Sequence, residues 1–162
     1  MTRRLAIALA GLFALAEPAQ ALQLFTGEVT GVPHGDTLLV RHDGTVQQVR
    51  LHGVLAPEKG QPHAETARAA LEQLALGKTV RVIPMGKDRQ KRVSADVRLD
   101  NASLNDRMVR DGLGWFNFRQ SKDRHLRTLQ AAARAERKGL WADADPIPPW
   151  DWARGVRPAK PN

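Results

Sequence analysis

The chain of 162 residues contains no cysteine and no tyrosine. Without cysteine no disulfide can staple the fold, which must rest on burial alone and tolerates either redox state. No apolar run is long enough to span a bilayer. The longest, Leu5 to Ala16, falls short of the roughly 20 residues a membrane helix needs and is stopped by Glu17 and Pro18. Acid is also scarce: 17 Asp and Glu face 25 Lys and Arg, a formal net charge of +8. Such a surface attracts polyanions, nucleic acid first among them. No internal repeat and no second domain is evident.

The first residues read as a leader. Arg3 and Arg4 supply a basic start, the short apolar run follows, and Ala19-Gln20-Ala21 gives the small-x-small cleavage pattern. A signal peptide over 1–21 implies export to the periplasm or the medium, with no membrane span left after cleavage. Its removal takes away Arg3, Arg4 and Glu17, lowering the net positive charge by one. What remains is one domain's length: residues 22–154 as the folded domain and 155–162 as a basic, Pro-rich tail.

Within that domain apolar residues alternate. Leu24 to Thr30, Thr37 to Arg41, Val46 to His52, Thr79 to Pro84 and Val93 to Leu99 each read as a strand. Asp43-Gly44 is a two-residue hairpin signal. In the third strand Val49 and Leu51 share one face, so Arg50 projects from the other. Between the third and fourth strands the period becomes helical, with Ala67, Ala70, Leu71, Leu74 and Ala75 on one face and Gly77 as a stop. Ser103 is placed to cap a short helix, and Ser121 to cap a longer one with Asp123 in its first turn and Gly139 as its end.

Chemistry gathers at strand ends. Asp36 follows Gly35 in a tight turn. Glu58 follows Pro57 just past an apolar strand. Arg50 stands on the outward face between them in the chain. Two carboxylates and a guanidinium at one rim suit a cation and a phosphate held together. The run Lys87-Asp88-Arg89-Gln90-Lys91-Arg92 adds a dense positive loop.

Five strands interrupted by one helix and followed by others point to an α+β fold. Its architecture would be a five-stranded OB-type β-barrel with about three packed helices. In order and spacing, His34-Gly35-Asp36-Thr37, Val49-Arg50-Leu51, Gly53-Val54-Leu55-Ala56-Pro57-Glu58, Asp88 to Arg92, Asn105, Gly112 to Trp115, Gly139-Leu140-Trp141 and Pro148-Pro149-Trp150 resemble the thermonuclease, or staphylococcal-nuclease-like, family. The resemblance implies cleavage of phosphodiesters in DNA or RNA with Ca2+; the chain itself is expected to act as a monomer. Carried over by position, Asp36 would be a metal ligand and Glu58 the group acting on the attacking water. Arg50 and Arg92 would clamp the phosphate. Arg89, Lys91, Phe116 and Phe118 would contact nucleic acid.

Two departures fall on the metal site. The family's first acid of D-G-D-T is His34 here, a nitrogen ligand better suited to Zn2+, Ni2+ or Mn2+ than to Ca2+. The acid of G-I-D-A-P-E, a direct Ca2+ ligand in the family, is Leu55, which puts activity in question. The family's loop glycine is Lys91, and its nucleotide-contacting tyrosines fall near Phe116 and Phe118. Three readings follow: an exported nuclease with weakened or altered metal dependence, a catalytically impaired barrel that still binds nucleic acid, or a periplasmic barrel that scaffolds other proteins, its basic charge incidental.

Overall fold

A computed structural model describes residues 23–158. The expected leader, 1–21, lies outside them. Strands β1 (Phe25–His34), β2 (Thr37–His42) and β3 (Thr45–Leu51) form an antiparallel meander. Next come the two-residue β4 (Val54–Leu55), helix α1 (Ala64–Ala75), β5 (Thr79–Lys87), β6 (Val93–Leu99) and the short β7 (Ala102–Ser103). Helix α2 (Leu104–Arg110), β8 (Trp115–Phe116), helix α3 (Arg124–Ala135), a 3-10 turn at Gly139–Ala142 and the single turn α4 (Pro149–Trp152) complete the chain. The order β3-β2-β1-β5-β6 closes on itself because β3 also pairs with β6, in parallel. That closure makes a five-stranded barrel with no free edge among these strands. Among the described residues no helix is long and apolar enough to cross a membrane.

The barrel interior is filled by the alternating set the sequence indicates: Val29, Leu38, Val40, Val49, Leu51, Val82 and Val97 are all fully buried. Helix α1 closes one side with Ala67, Leu71 and Ala75, and α2 adds Met108 and Val109. At the β2–β3 hairpin Asp43 and Gly44 take φ of +47° and +76°, the left-handed pair that a two-residue turn requires. A second cluster, Trp115, Ala133, Leu140 and Trp141, packs the C-terminal segment back onto α3.

Three local expectations need correction. Strand β1 runs on to His34, because its pairing with β2 continues through two irregularities to the His34–Thr37 pair. Helix α3 is capped by Asp123, whose carboxylate accepts the His125 N–H at 2.7 Å, and not by Ser121. Ser121 is buried against Gly53 and accepts the Asp123 N–H instead, too early in the chain to open the helix. Gly139 does not end α3, which stops at Ala135; it opens the 3-10 turn.

Candidate active-site cleft

The β1–β2 turn is pressed onto the rest of the fold. A Cβ on Gly35 would lie 2.7 Å from the Ala67 Cβ and 2.9 Å from the Ala56 Cβ, so only glycine fits there. This close approach sets Asp36 against the chain after β4 and buries it to 5 % exposure. Its Oδ1 accepts the Thr37 hydroxyl at 2.8 Å. Its Oδ2 accepts the Ala56 N–H at 3.1 Å and Arg50 Nη2 at 3.0 Å.

Arg50 sits opposite Thr37 in the β2–β3 ladder, on the face away from buried Val49 and Leu51, as its alternation requires. Most of its side chain is covered, and Nε is buried with no hydrogen-bond partner. A buried guanidinium donor left open is costly unless an acceptor arrives. Asp36 fixes one arm of the fork and leaves another for an anion.

Arg92 stands at the end of the β5–β6 loop. Asp88, four residues earlier, holds it by Nε at 2.7 Å and by its own N–H at 2.9 Å, and also takes the Gln90 N–H at 2.9 Å. Burial acts to raise the Asp88 pKa, but the bonds from Arg92 and Gln90 outweigh it and leave the carboxyl below its ordinary range. Lys91, just before Arg92, takes φ of +62°, a left-handed conformation strained for a residue with a Cβ.

Glu58 is exposed, just past β4. It meets the other candidates in one cleft of about 240 Å³, lined by His34, Asp36, Arg50, Glu58, Gln90 and Arg92 among others. The four residues expected to do the chemistry are thus brought together from four separate parts of the chain. His34 joins them at the rim.

The expected nucleic-acid contacts divide. Arg89 lines a neighbouring groove with Arg50, Lys87 and Arg119. Lys91 is exposed on the loop. Phe118 is 54 % exposed and meets Trp150 edge-on at 5.8 Å. Phe116 is only 4 % exposed and belongs to the main core, which leaves it no open face for a base.

Sequence reasoning missed Gln61. It is 6 % exposed, its Oε1 accepts the Glu58 N–H at 2.9 Å, and its Nε2 donates to the Ile147 carbonyl. Gln120 was missed too: it donates to Ser94 Oγ at 2.8 Å, while Ser94 Oγ lies 3.0 Å from His52 Nδ1. This chain of bonds ties β3 and β6 to the loop that carries Phe118 and Arg119.

The donor set does not fit a Ca2+ site. Ca2+ takes six to eight oxygens, several from carboxylates. Asp36 already shares its oxygens among three donors, one of them cationic. Leu55 offers no oxygen; it lines the neighbouring groove and packs against the tryptophan cluster. Among the described residues no three His, Cys, Asp or Glu side chains group closely enough to hold a metal ion.

Known proteins are similar to this chain over most of its length. The profile of staphylococcal nuclease homologues matches residues 48–143, a span that includes Arg50, Glu58 and Arg92. An uncharacterized endonuclease of Escherichia coli is 38 % identical over 127 residues, covering 78 % of this chain and 83 % of its own. An uncharacterized endonuclease of Haemophilus influenzae is 36 % identical over 80 % of this chain and 73 % of its own length. The staphylococcal-like nuclease CAN1 of Arabidopsis thaliana is 30 % identical over 68 % of this chain and 34 % of its own. With a closed barrel, a cleft built from the expected residues and relatives matched over most of its length, the chain belongs to the staphylococcal nuclease family.

Proposed function

We propose that this protein is an exported nuclease that hydrolyses phosphodiester bonds of DNA or RNA, with a metal dependence altered from the family's. The observation that carries the reading is the convergence of Asp36, Arg50, Glu58 and Arg92 on one cleft. The arginine forks bind non-bridging phosphate oxygens and stabilise the charge that builds on them. Asp36 holds Arg50 in place and balances its charge before substrate arrives. Glu58, exposed at the mouth, takes a proton as the oxygen of a water forms the new bond to phosphorus. The bond to the leaving oxygen breaks, and that oxygen takes a proton from solvent. The relatives named endonucleases support the reaction class. The N-terminal sequence supports export. His34 and Leu55 at the two departures support the altered metal dependence.

The test is cleavage of end-labelled single-stranded DNA and RNA by the mature chain in Ca2+, Mg2+, Mn2+, Zn2+ and EDTA. The reading predicts turnover in at least one condition and less stimulation by Ca2+ than the family pattern implies. A folded protein that binds both polymers in a salt-dependent way and cleaves neither is the binding module instead.

A further inference from the structure

Beyond the cleft, two hollows follow in series. The first, of about 380 Å³, shares Arg50 and Gln90 with the cleft and is rimmed by Lys87, Arg89 and Arg119. The second, of about 450 Å³, shares Trp150 with the first and lies between β8, α3 and the C-terminal segment. No acidic residue lines this second groove among the described residues. Its floor is the buried Trp115, Phe116 and Trp141, and two cations stand over these rings. The Arg134 guanidinium stands 4.6 Å from the Trp141 ring centre, and that of Arg127 stands 5.8 Å from the Phe116 ring. Phe118, more than half exposed, meets Trp150 at the junction of the two hollows. Trp141 is 6 % exposed, and its indole N–H is buried without a partner. Neither Arg127 nor Arg134 has an ion-pair partner among the described residues, whereas Arg50 and Arg92 are both paired.

We infer that this aromatic–arginine groove is a second binding site, for unpaired bases of a single strand whose scissile phosphate lies in the cleft. Phe118 and half-buried Trp150 offer the stacking surface, while Phe116 and Trp141 lie in the floor and seat Arg127 and Arg134 beside it. Exposed rings next to cations are what sequence-tolerant binding of single strands uses. The unpaired arginines supply charge complementary to phosphate. A duplex cannot offer its base faces to Phe118 and Trp150, so the site selects single-stranded polymer. Continuity through Arg50 and Trp150 gives the strand its path. The inference rests on the proposed function, since it extends the substrate track of that same cleft.

The test uses oligothymidylates of about 4 to about 16 nucleotides, titrated into the full mature chain carrying Glu58→Gln, in EDTA. Intrinsic fluorescence is the readout: the chain has 4 Trp and 0 Tyr, and Trp115, Trp141 and Trp150 line this groove. The comparison protein carries Arg127→Gln and Arg134→Gln in addition. Both arginines are exposed on α3, so the fold should stand. The expected result is about tenfold weaker binding of the long oligonucleotides, with the shortest unaffected. The salt slope for the long ones should fall by about 1.4, at about 0.7 for each phosphate no longer neutralised. Unchanged affinity and slope for long oligonucleotides would overturn the groove and leave the cleft standing. Equal weakening at every length would also overturn it, as mere diffuse charge. Absence of binding at any length and low salt would overturn the groove and the nuclease reading together.

Discussion

Glu58 owes its place to Gln61. The Gln61 amide accepts the Glu58 N–H at 2.9 Å, and the Glu58 carbonyl accepts the Gln61 N–H at 2.9 Å, while the other end of the amide holds the Ile147 carbonyl. A residue absent from any motif thus ties the proposed base to the C-terminal segment.

Gln61→Leu should therefore act through Glu58. Removing a buried amide that serves two backbone groups should cost about 1–3 kcal/mol in stability. At temperatures where the variant is folded, kcat should fall about tenfold with little change in KM, the pattern of a misplaced base and not of weakened binding. In a Glu58→Gln background the same change should leave the residual rate nearly untouched. Steady-state kinetics of the four proteins decide this, and additive losses would separate Gln61 from Glu58.

Arg92 is held by two bonds to Asp88, one from its side chain and one from its backbone. Arg92→Lys keeps the charge and loses both the fork and the fixed geometry. Turnover should drop far more than affinity, by about 100-fold against about threefold. Comparing kcat with oligonucleotide Kd for the same protein checks it.

His52 offers a pH signature. Burial lowers its pKa, partly countered by the Asp123 charge. Ser94 Oγ accepts the Gln120 N–H at 2.8 Å and lies 3.0 Å from His52 Nδ1. The folded state thus resists protonation. The stabilisation is complete above the unfolded pKa of about 6.5 and is lost as pH falls through the lower folded value. Thermal melts at pH 7.5 and 5 should show a larger drop in Tm for the native chain than for His52→Asn. Equal drops would remove His52 from the account.

A carboxylate restored at position 55 probes the metal site. Leu55→Asp places a carboxylate at the edge of the groove beside Arg50, at a cost of about 1–2 kcal/mol for the packing removed. Paired with His34→Asp, it should convert a chain with no measurable Ca2+ binding near about 1 mM into one that saturates. Calorimetric titration of both proteins reads this directly. Saturable Ca2+ binding by the native chain at micromolar concentration would contradict the donor-set argument.

The barrel was legible because its strands bury one face each, so alternation in β2, β3 and β6 marks inside from outside. Convergence of Asp36, Arg50, Glu58 and Arg92 followed from motif order. What was not legible depends on distant partners. Ser121 and Asp123 are both capping types, and only the packing of Ser121 against Gly53 chooses between them. Phe116 and Phe118 differ by two residues, yet the short β4–β8 pairing leaves one in the core and the other in solvent. Gln61 finds Ile147 across 86 residues, a separation at which no periodicity carries a signal.

The central claim is that these four side chains act on one phosphodiester. The most direct measurement is the single-turnover rate of cleavage of a bound, labelled single-stranded oligonucleotide by the native chain and by Glu58→Gln. The expected rate is at least about 100-fold lower for the variant, with binding within about threefold of the native chain. Cleavage by folded Glu58→Gln at the native rate would contradict it.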